Sequence, residues 1–360
     1  MRLSKFALSA LLLLGGGPAA AEDLQLLAQL PVPEDLARVK DLRWYDKGAV
    51  LVVGTPIGLH RLPLAPGQPA ETLVPGGRGL DKLFFAGRLA YSPPIIAVAG
   101  EVFEMVWKDL QTGQLERDVA FEFILDMDLQ DGHYAVLGVQ RGGQNEIAPD
   151  AAIAWLGELK PGLPTLKTLL YATSGKGAVT IERCAVHEIG QIRFFPDGNL
   201  LVVPGGEAGA FLYDAAGGLR HTWELQPLGV DFLCNLDYNQ GLTHKINPES
   251  RWAWLNRFTL VDEILPLPQG PGLVLRSVSE KGTRWQLKIL QRDGPAINVS
   301  IPFESPSTMS HLRGDVLGDR IAFLRWEEGR PENPRQAEPT IFITTVPRLT
   351  PTSPPKESTP

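Results

Sequence analysis

Cysteine is scarce in this chain, with 2 residues among 360. No local motif around Cys184 or Cys234 predicts a catalytic thiol. In an exported protein the oxidising environment lets such a pair persist as a disulfide. The bridge would close a loop of about 50 residues, a stabilisation of roughly 4 kcal/mol in the chain-entropy model. We therefore predict a disulfide between them; the alternative is two separate buried thiols that behave as small apolar side chains.

Positive charge and long apolar runs are also lacking. The chain has 34 basic and 41 acidic residues, a formal net charge of -7, which makes nucleic acid a poor partner. The apolar run 6–14 follows Arg2 and Lys5 and precedes three alanines at 19–21, a pattern that predicts a signal peptide over 1–21. The run is shorter than the ~20 residues that a membrane-spanning helix needs. We expect a periplasmic or secreted protein without a membrane span.

Sequence motifs of enzymes are absent as well. No Gly-x-Ser-x-Gly motif occurs, and the 6 His residues are scattered along the chain, so nothing pairs a base with a nucleophile. The turn at 174–177 lacks the first Gly of a phosphate-binding loop, and His187 has no second His four residues later for a helical zinc pair. Asp126 and Asp128 are better explained as two residues on one face of a strand than as a calcium loop. We predict no catalytic, metal-binding or cofactor-binding residue from linear motifs.

One stretch, 192–218, carries a clear pattern of strands and turns. Asp197-Gly198 stands between two apolar runs, as in a hairpin turn that needs positive φ at Gly. The second run, 200–203, is continuously apolar, which is typical of a strand covered on both faces. Further strand patterns follow at 211–214 and 219–225, so the unit has four strands.

Similar units recur along the chain, beginning near residues 42, 83, 121, 264 and 311. The last unit lacks a fourth strand, and the alternating apolar residues of 24–30 can supply it. We therefore predict an all-β fold, a six-bladed β-propeller closed by its N-terminal strand, because such closure removes exposed sheet edges. The propeller would span 22–346, and the Pro-, Ser- and Thr-rich segment 347–360 would be a disordered tail. An alternative places a seventh blade within 226–259.

The motif at 194–198, with Tyr213-Asp214 downstream, resembles the TolB-like and NHL-type propellers of exported bacterial proteins. The match is sharp in this unit and recognisable at 42–53. In such propellers, the loops between blades and those between the second and third strands gather at one face. The resemblance therefore implies that the long insertions 172–190 and 226–259 lie on one face of the ring.

That face is the predicted binding surface. Two of its Trp residues lie outside the repeat, and buried Trp and Arg side chains dominate many interfaces. The candidate binding residues are Arg141, His187, Asp231, His244, Arg251, Trp252 and Trp254. A second group of Trp residues recurs about once per unit, and we predict that it packs between blades: Trp44, Trp107, Trp155, Trp223, Trp285 and Trp326.

We predict a monomeric protein-binding or ligand-binding module rather than an enzyme, with an unknown protein or extracellular ligand as its partner and no cofactor. The alternative is a metal-dependent hydrolase or lyase with its site at the central channel, because a central metal can draw one ligand from each blade and leave no linear motif. Stoichiometric metal, or charged side chains from three or more blades meeting at the channel mouth, would overturn the interpretation as a binding module alone.

Overall fold

The computed structural model describes residues 20–55, 57–78, 82–83, 87–100, 105–118, 121–140, 152–159, 167–171, 190–204, 209–231, 255–327 and 338–350. These residues are almost entirely strand, with short 3-10 helices at Glu34–Leu36 and Gln226–Leu228. Among them, no helix has the length and apolar character needed to cross a membrane. The strands are β1 Ala20–Ala21, β2 Leu26–Pro31, β3 Asp41–Asp46, β4 Ala49–Gly54, β5 Gly58–Pro63, β6 Glu71–Pro75, β7 Arg88–Ser92, β8 Ile95–Ala99, β9 Met105–Asp109, β10 Leu115–Asp118, β11 Phe121–Gln130, β12 His133–Gln140, β13 Ala152–Glu158, β14 Lys167–Tyr171, β15 Gln191–Phe194, β16 Leu200–Val203, β17 Gly209–Tyr213, β18 Leu219–Glu224, β19 Leu260–Leu267, β20 Gly270–Ser279, β21 Gly282–Ile289, β22 Ile297–Ser305, β23 Ser310–Leu317, β24 Arg320–Glu327, β25 Thr340–Thr345 and β26 Leu349–Thr350.

The described strands form six four-stranded antiparallel sheets and one small two-stranded sheet. Blades 1 to 5 are β3–β6, β7–β10, β11–β14, β15–β18 and β19–β22, each in chain order from the inside outwards. Blade 6 combines β23, β24 and β25 with β2 as its outer strand. The first strand of each blade contacts the first strand of the next around a closed ring, from β3 through β7, β11, β15, β19 and β23 back to β3. The predicted six-bladed propeller is confirmed.

The alternative with a seventh blade is wrong. It placed the additional blade within 226–259, between blades 4 and 5. The inner strands β15 and β19 on either side of that segment contact each other directly. The ring is therefore already closed at this point.

Closure by the N-terminal strand is confirmed. β2 pairs antiparallel with β25, from Leu26 opposite Thr344 to Pro31 opposite Thr340. This pairing gives the last blade its fourth strand and joins the beginning and end of the propeller in one sheet. A second contact between the ends pairs β1 with β26; residues 1–19 and 351–360 lie outside the described part, and so do most of the predicted signal peptide and tail.

Burial explains why the central strands are so apolar. All residues of β4 and β16 are buried, because neighbouring blades cover both faces of each sheet. The predicted turn at Asp197-Gly198 also forms, with φ +80° at Gly198, and the turn between β11 and β12 has φ +48° at Asp131 and +78° at Gly132. Glycine tolerates this left-handed region without the Cβ clash that other residues meet.

The first strand of blade 2 departs from the prediction. The sequence pattern placed it at 83–87, but the strand is Arg88–Ser92 and its turn is Pro93-Pro94. Leu83 instead forms an isolated parallel bridge with Gly76. The pattern misled because Arg88, a charged residue, begins an inner strand, where binary patterning expects apolar residues.

Candidate functional site

Polar and charged side chains lie on the inner strands of all six blades. The residues are Asp41, Arg43, Arg88, Asp126, Asp128, Gln191, Arg193, Asp262, Glu263, His311, Arg313 and Asp315. Most of them are buried. Their charges act across the ring, since the Asp41 carboxylate on blade 1 is influenced by arginines of blades 1, 2, 4 and 6. Charged residues from more than three blades therefore converge at the centre.

We call these inner-strand residues the central cluster. Its carboxylates accept hydrogen bonds from backbone amides of the next blade. On blade 3, Asp126 Oδ2 accepts a hydrogen bond from the Ile192 amide at 2.9 Å, and Asp128 Oδ2 accepts one from the Phe194 amide at 2.8 Å. Each inner strand is the edge of its own sheet, so the N–H groups that point away from its neighbouring strand have no partner within the blade. The carboxylates of the preceding blade supply the missing acceptors.

The same arrangement recurs at three further blade boundaries among the described residues. Asp41 Oδ2 accepts from the Leu89 amide at 2.9 Å between blades 1 and 2. Between blades 5 and 6, Asp262 Oδ2 accepts from Leu312 N at 2.7 Å and Glu263 Oε2 from Gly314 N at 3.1 Å. Between blades 6 and 1, Asp315 Oδ2 accepts from Trp44 N at 2.8 Å.

Arginines balance these buried carboxylates. Arg193 Nη2 lies 2.7 Å from Glu263 Oε1 and its Nη1 lies 3.6 Å from Asp128 Oδ1, so one guanidinium joins blades 3, 4 and 5. Arg43 Nη1 lies 3.0 Å from Asp41 Oδ1. A buried carboxylate without such a partner would carry a large desolvation cost.

Burial and arginine charge compete in setting the pKa of each carboxyl. Burial alone raises the pKa of Asp41, but the charges of Arg43 and of other arginines outweigh it, and the pKa lies below its usual value. For Asp128 and Asp315, burial outweighs the arginines and the pKa is raised. The central cluster therefore contains carboxyls shifted in both directions.

A second carboxyl with a lowered pKa is Asp262. Burial raises the pKa, but the hydrogen bond and charge of His311, whose Nδ1 lies 3.2 Å from Asp262 Oδ1, and the charges of neighbouring arginines lower it overall. The imidazole also stacks on Trp326, with ring centroids 4.8 Å apart. The Asp262–His311 contact thus joins blade 5 to blade 6, and the stacking on Trp326 holds the imidazole in place within blade 6.

A central metal fits these residues poorly. In the part of the chain that the structure describes, no three His, Cys, Asp or Glu side chains are grouped to hold a metal ion. A divalent cation among the carboxylates would also face the guanidiniums of Arg43, Arg193 and Arg313. The convergence of charge from more than three blades is the outcome expected for the enzyme alternative, but the bonds between blades account for these side chains without catalysis.

Of the predicted binding residues, Asp231 is described. It is exposed, its amide donates to the Thr259 carbonyl at 3.0 Å, and its Oδ2 accepts from the Thr259 amide at 2.6 Å. These two bonds join the two ends of the insertion 232–258. The others lie outside the described residues: Arg141, His187, His244, Arg251, Trp252 and Trp254. The same holds for the predicted disulfide of Cys184 and Cys234.

The recurring Trp residues pack between blades, as predicted. Trp44, Trp155, Trp285 and Trp326 are buried, while Trp107 and Trp223 are partly buried. Two of them bond across a blade boundary: Trp44 Nε1 donates to the Asp315 carbonyl at 3.1 Å, and Trp223 Nε1 donates to the Gln291 carbonyl at 2.8 Å.

Sequence reasoning missed the central cluster. It placed Asp126 and Asp128 on one face of a strand, which is correct, but that face is buried against blade 4. A usable signal was present: polar residues alternate at the start of several units, as in Asp41-Leu42-Arg43 and Gln191-Ile192-Arg193. Charged residues in alternation on a strand that should be central indicate a polar interior.

Comparison with known proteins supports the fold. No family model matches the chain, and no curated protein matches it. Among solved structures it is similar to regucalcin, a calcium-binding protein from Agrobacterium tumefaciens, with TM-score 0.51, 12% identity, and coverage of 91% of this chain and 97% of that chain. The WD40 β-propeller domain of Doa1 gives TM-score 0.47 and 12% identity over 90% of this chain and 97% of that chain. The structure of YCF48 bound to D1 peptide gives TM-score 0.43 and 13% identity over 91% of this chain and 99% of that chain. At these identities the likeness to regucalcin shows the fold alone, and the other two carry no further argument.

Proposed function

We propose that the protein is an exported β-propeller that binds another protein or an extracellular ligand through one face of the ring. It would act as a monomer in the periplasm or outside the cell, without a cofactor. The observation that supports this proposal is that the charged side chains of the central cluster are bonded to neighbouring blades. They join the blades into a ring, which leaves the connecting segments as the natural place for recognition.

The binding face is the side on which β12, β14, β18 and β24 end. In an antiparallel meander, second and fourth strands end on the same side, so the segments after these strands begin there. Loops mounted on a rigid scaffold commonly carry function. Asp231 and Thr259 join the ends of the longest insertion, and we propose Trp252 and Trp254 within it as the anchor for the partner.

A relation to TolB-like or NHL-type exported propellers is part of the proposal. The motif that resembles them occupies the inner hairpin of blade 4, with Gly198 at its turn. Downstream, Asp214 Oδ1 accepts hydrogen bonds from the Ala216 and Gly218 amides at 3.0 and 2.7 Å. These motif residues shape turns. The resemblance therefore supports a proposal about fold and export, and it does not identify the partner.

The proposal is tested by affinity capture from an envelope extract. The mature protein is compared with a Trp252→Ala, Trp254→Ala double variant and with Arg284→Ala, a control at an exposed residue on the third strand of blade 5. We expect at least one protein to be captured by the wild type and by the control and lost with the double variant. Recovery of the same proteins with all three would contradict the assignment of Trp252 and Trp254 as the anchor for the partner.

A metal-dependent hydrolase or lyase is the second candidate, favoured by the convergence of charge in the ring. It is tested by measuring bound metal in protein purified without chelator, with Asp126→Asn as a comparison. Stoichiometric metal that the variant loses would support the enzyme and overturn a role in binding alone. Metal far below stoichiometry in both proteins would support the binding module.

A further inference from the structure

A cleft lies between blades 4 and 5, on the side of the ring opposite the proposed binding face. Its volume is about 630 Å³, within the usual range for small-molecule sites. It is built from turns between first and second strands, turns between third and fourth strands, and the outer strand of blade 4. Its lining includes Asp197, Asn199, Asp214, Arg220, His221, Trp223, Gln269 and Arg292.

An aromatic pair forms one wall of this cleft. The rings of His221 and Trp223 lie 4.4 Å apart at 68°, and both side chains are partly buried. Because Trp223 Nε1 donates to the Gln291 carbonyl of blade 5 at 2.8 Å, the indole is held in place across the blade boundary. The wall therefore offers a preorganised apolar surface to a ligand.

Side chains with planar hydrogen-bonding groups surround the aromatic wall. Asn199 Nδ2 donates to Asp197 Oδ2 at 2.6 Å, and Arg220 Nε lies 2.8 Å from Asp214 Oδ2. Gln269 donates through Nε2 to the Pro347 carbonyl at 2.6 Å. Its Oε1 is closed to solvent, so Gln269 shapes the wall of the cleft and leaves hydrogen bonding with a ligand to the other side chains.

The charges of the lining balance, because two carboxylates, Asp197 and Asp214, face two guanidiniums, Arg220 and Arg292. A polyanion or a metal cation would gain little net attraction here. A neutral ligand rich in hydroxyl groups fits better, since each hydroxyl both donates and accepts and so matches amide, carboxylate and guanidinium groups alike. The aliphatic C–H face of a sugar ring can pack on the indole.

We propose that this cleft binds a neutral saccharide. Trp223 is the stacking platform, and Asn199 and Arg292 bind hydroxyl groups. The site is separate from the proposed protein-binding face and does not depend on it. The Trp252→Ala, Trp254→Ala variant should retain saccharide binding, so failure of one proposal is distinguishable from failure of the other.

The test is saturation-transfer NMR of the mature protein with maltotriose, cellotriose, chitotriose and mannotriose, and with trigalacturonate as a charged control. We expect transfer to the ring C–H protons of at least one neutral saccharide, with a Kd of about 1 mM or tighter. Trigalacturonate should bind more weakly. No transfer to any neutral saccharide, or stronger binding of trigalacturonate, would overturn the proposal.

Variants locate the binding in the cleft. Trp223→Leu, Asn199→Ala and Arg292→Ala should each weaken the affinity, by about tenfold for Trp223→Leu, whereas Arg284→Ala on the outer surface of blade 5 should not. The exposed Arg292 side chain makes Arg292→Ala a change with little risk to folding. Unchanged affinity in Arg292→Ala and Asn199→Ala would place the saccharide elsewhere and overturn the assignment.

Discussion

The central cluster and the cleft between blades 4 and 5 contain the same kinds of side chain in different surroundings. In the cluster, Arg193 and Glu263 lie 2.7 Å apart with side chains 3% and 0% exposed. In the cleft, Arg220 and Asp214 lie 2.8 Å apart with side chains 61% and 21% exposed. The distances are nearly equal, so the solvent around each pair determines what it does.

Burial makes the two regions behave differently. Removing one member of a buried pair leaves an uncompensated charge away from water, whereas water solvates either member of an exposed pair when the other is lost. The central charges therefore hold the blades together. The charges of the cleft can exchange their present contacts for those of a ligand.

The largest expected effect is from Arg193→Met. This variant leaves Glu263 and Asp128 buried without their guanidinium, and we expect the free energy of unfolding to fall by about 3–5 kcal/mol. Urea unfolding followed by fluorescence measures it. In the matched control, Arg284→Met breaks the exposed pair with Glu304 at 2.9 Å and should cost less than about 1 kcal/mol. Similar losses in both variants would break the distinction between buried and exposed pairs.

The pH dependence separates two carboxyls within the cluster. The pKa of Asp41 is below the usual 3.8, because its arginines outweigh the effect of burial. Its ionised form thus stabilises the fold above pH 3.8, and this contribution is lost as the pH falls through the lowered pKa. The pKa of Asp128 is above 3.8, because burial dominates. Protonation of this carboxyl therefore favours the folded state as the pH falls towards the raised pKa.

We expect Asp41→Asn to lower the free energy of unfolding by about 3 kcal/mol at neutral pH, with the loss shrinking below pH 3.8. Asp128→Asn should cost less at neutral pH, and its difference from the wild type should change at higher pH than that of Asp41→Asn. Urea unfolding of the three proteins across the acid range measures both profiles. Parallel profiles for the two variants would contradict the opposite shifts.

The smallest expected effects concern two indoles. Trp44→Phe removes the donor to the Asp315 carbonyl on the inner strand of blade 6, and we expect a loss of about 1–3 kcal/mol in unfolding free energy. Trp223→Phe removes a similar bond at the partly exposed cleft and should cost about 1 kcal/mol or less. Urea unfolding compares them, and a larger loss for Trp223→Phe would show that the cleft is structural.

Most of the fold could be predicted because it depends on local sequence patterns. Asp197-Gly198 marks a hairpin, 200–203 marks a covered strand, and a unit without its fourth strand indicates closure by β2. The first strand of blade 2 was misplaced because Arg88 begins it, and a local pattern does not show that a charge will meet partners in the ring. The repeat was thus predictable, and its polar interior was not.

The cleft was missed for a related reason. Its lining comes from turns and strands of two blades that look like ordinary surface elements when read one at a time. Trp223 was predicted to pack between blades, and it does, but the neighbouring position of Gln269 and Arg292 follows only from the way blade 5 sits beside blade 4.

The sequence by itself determined the strand period and most of the turns and favoured six blades, because those depend on side-chain alternation and on backbone preferences within a few residues. The tertiary structure alone decided the roles of the charges. Asp126 meets Ile192 across 66 positions of the chain, and Asp315 meets Trp44 across 271. Contacts of that range arise only when the ring closes, and closure then determines which charges are buried and which remain in water.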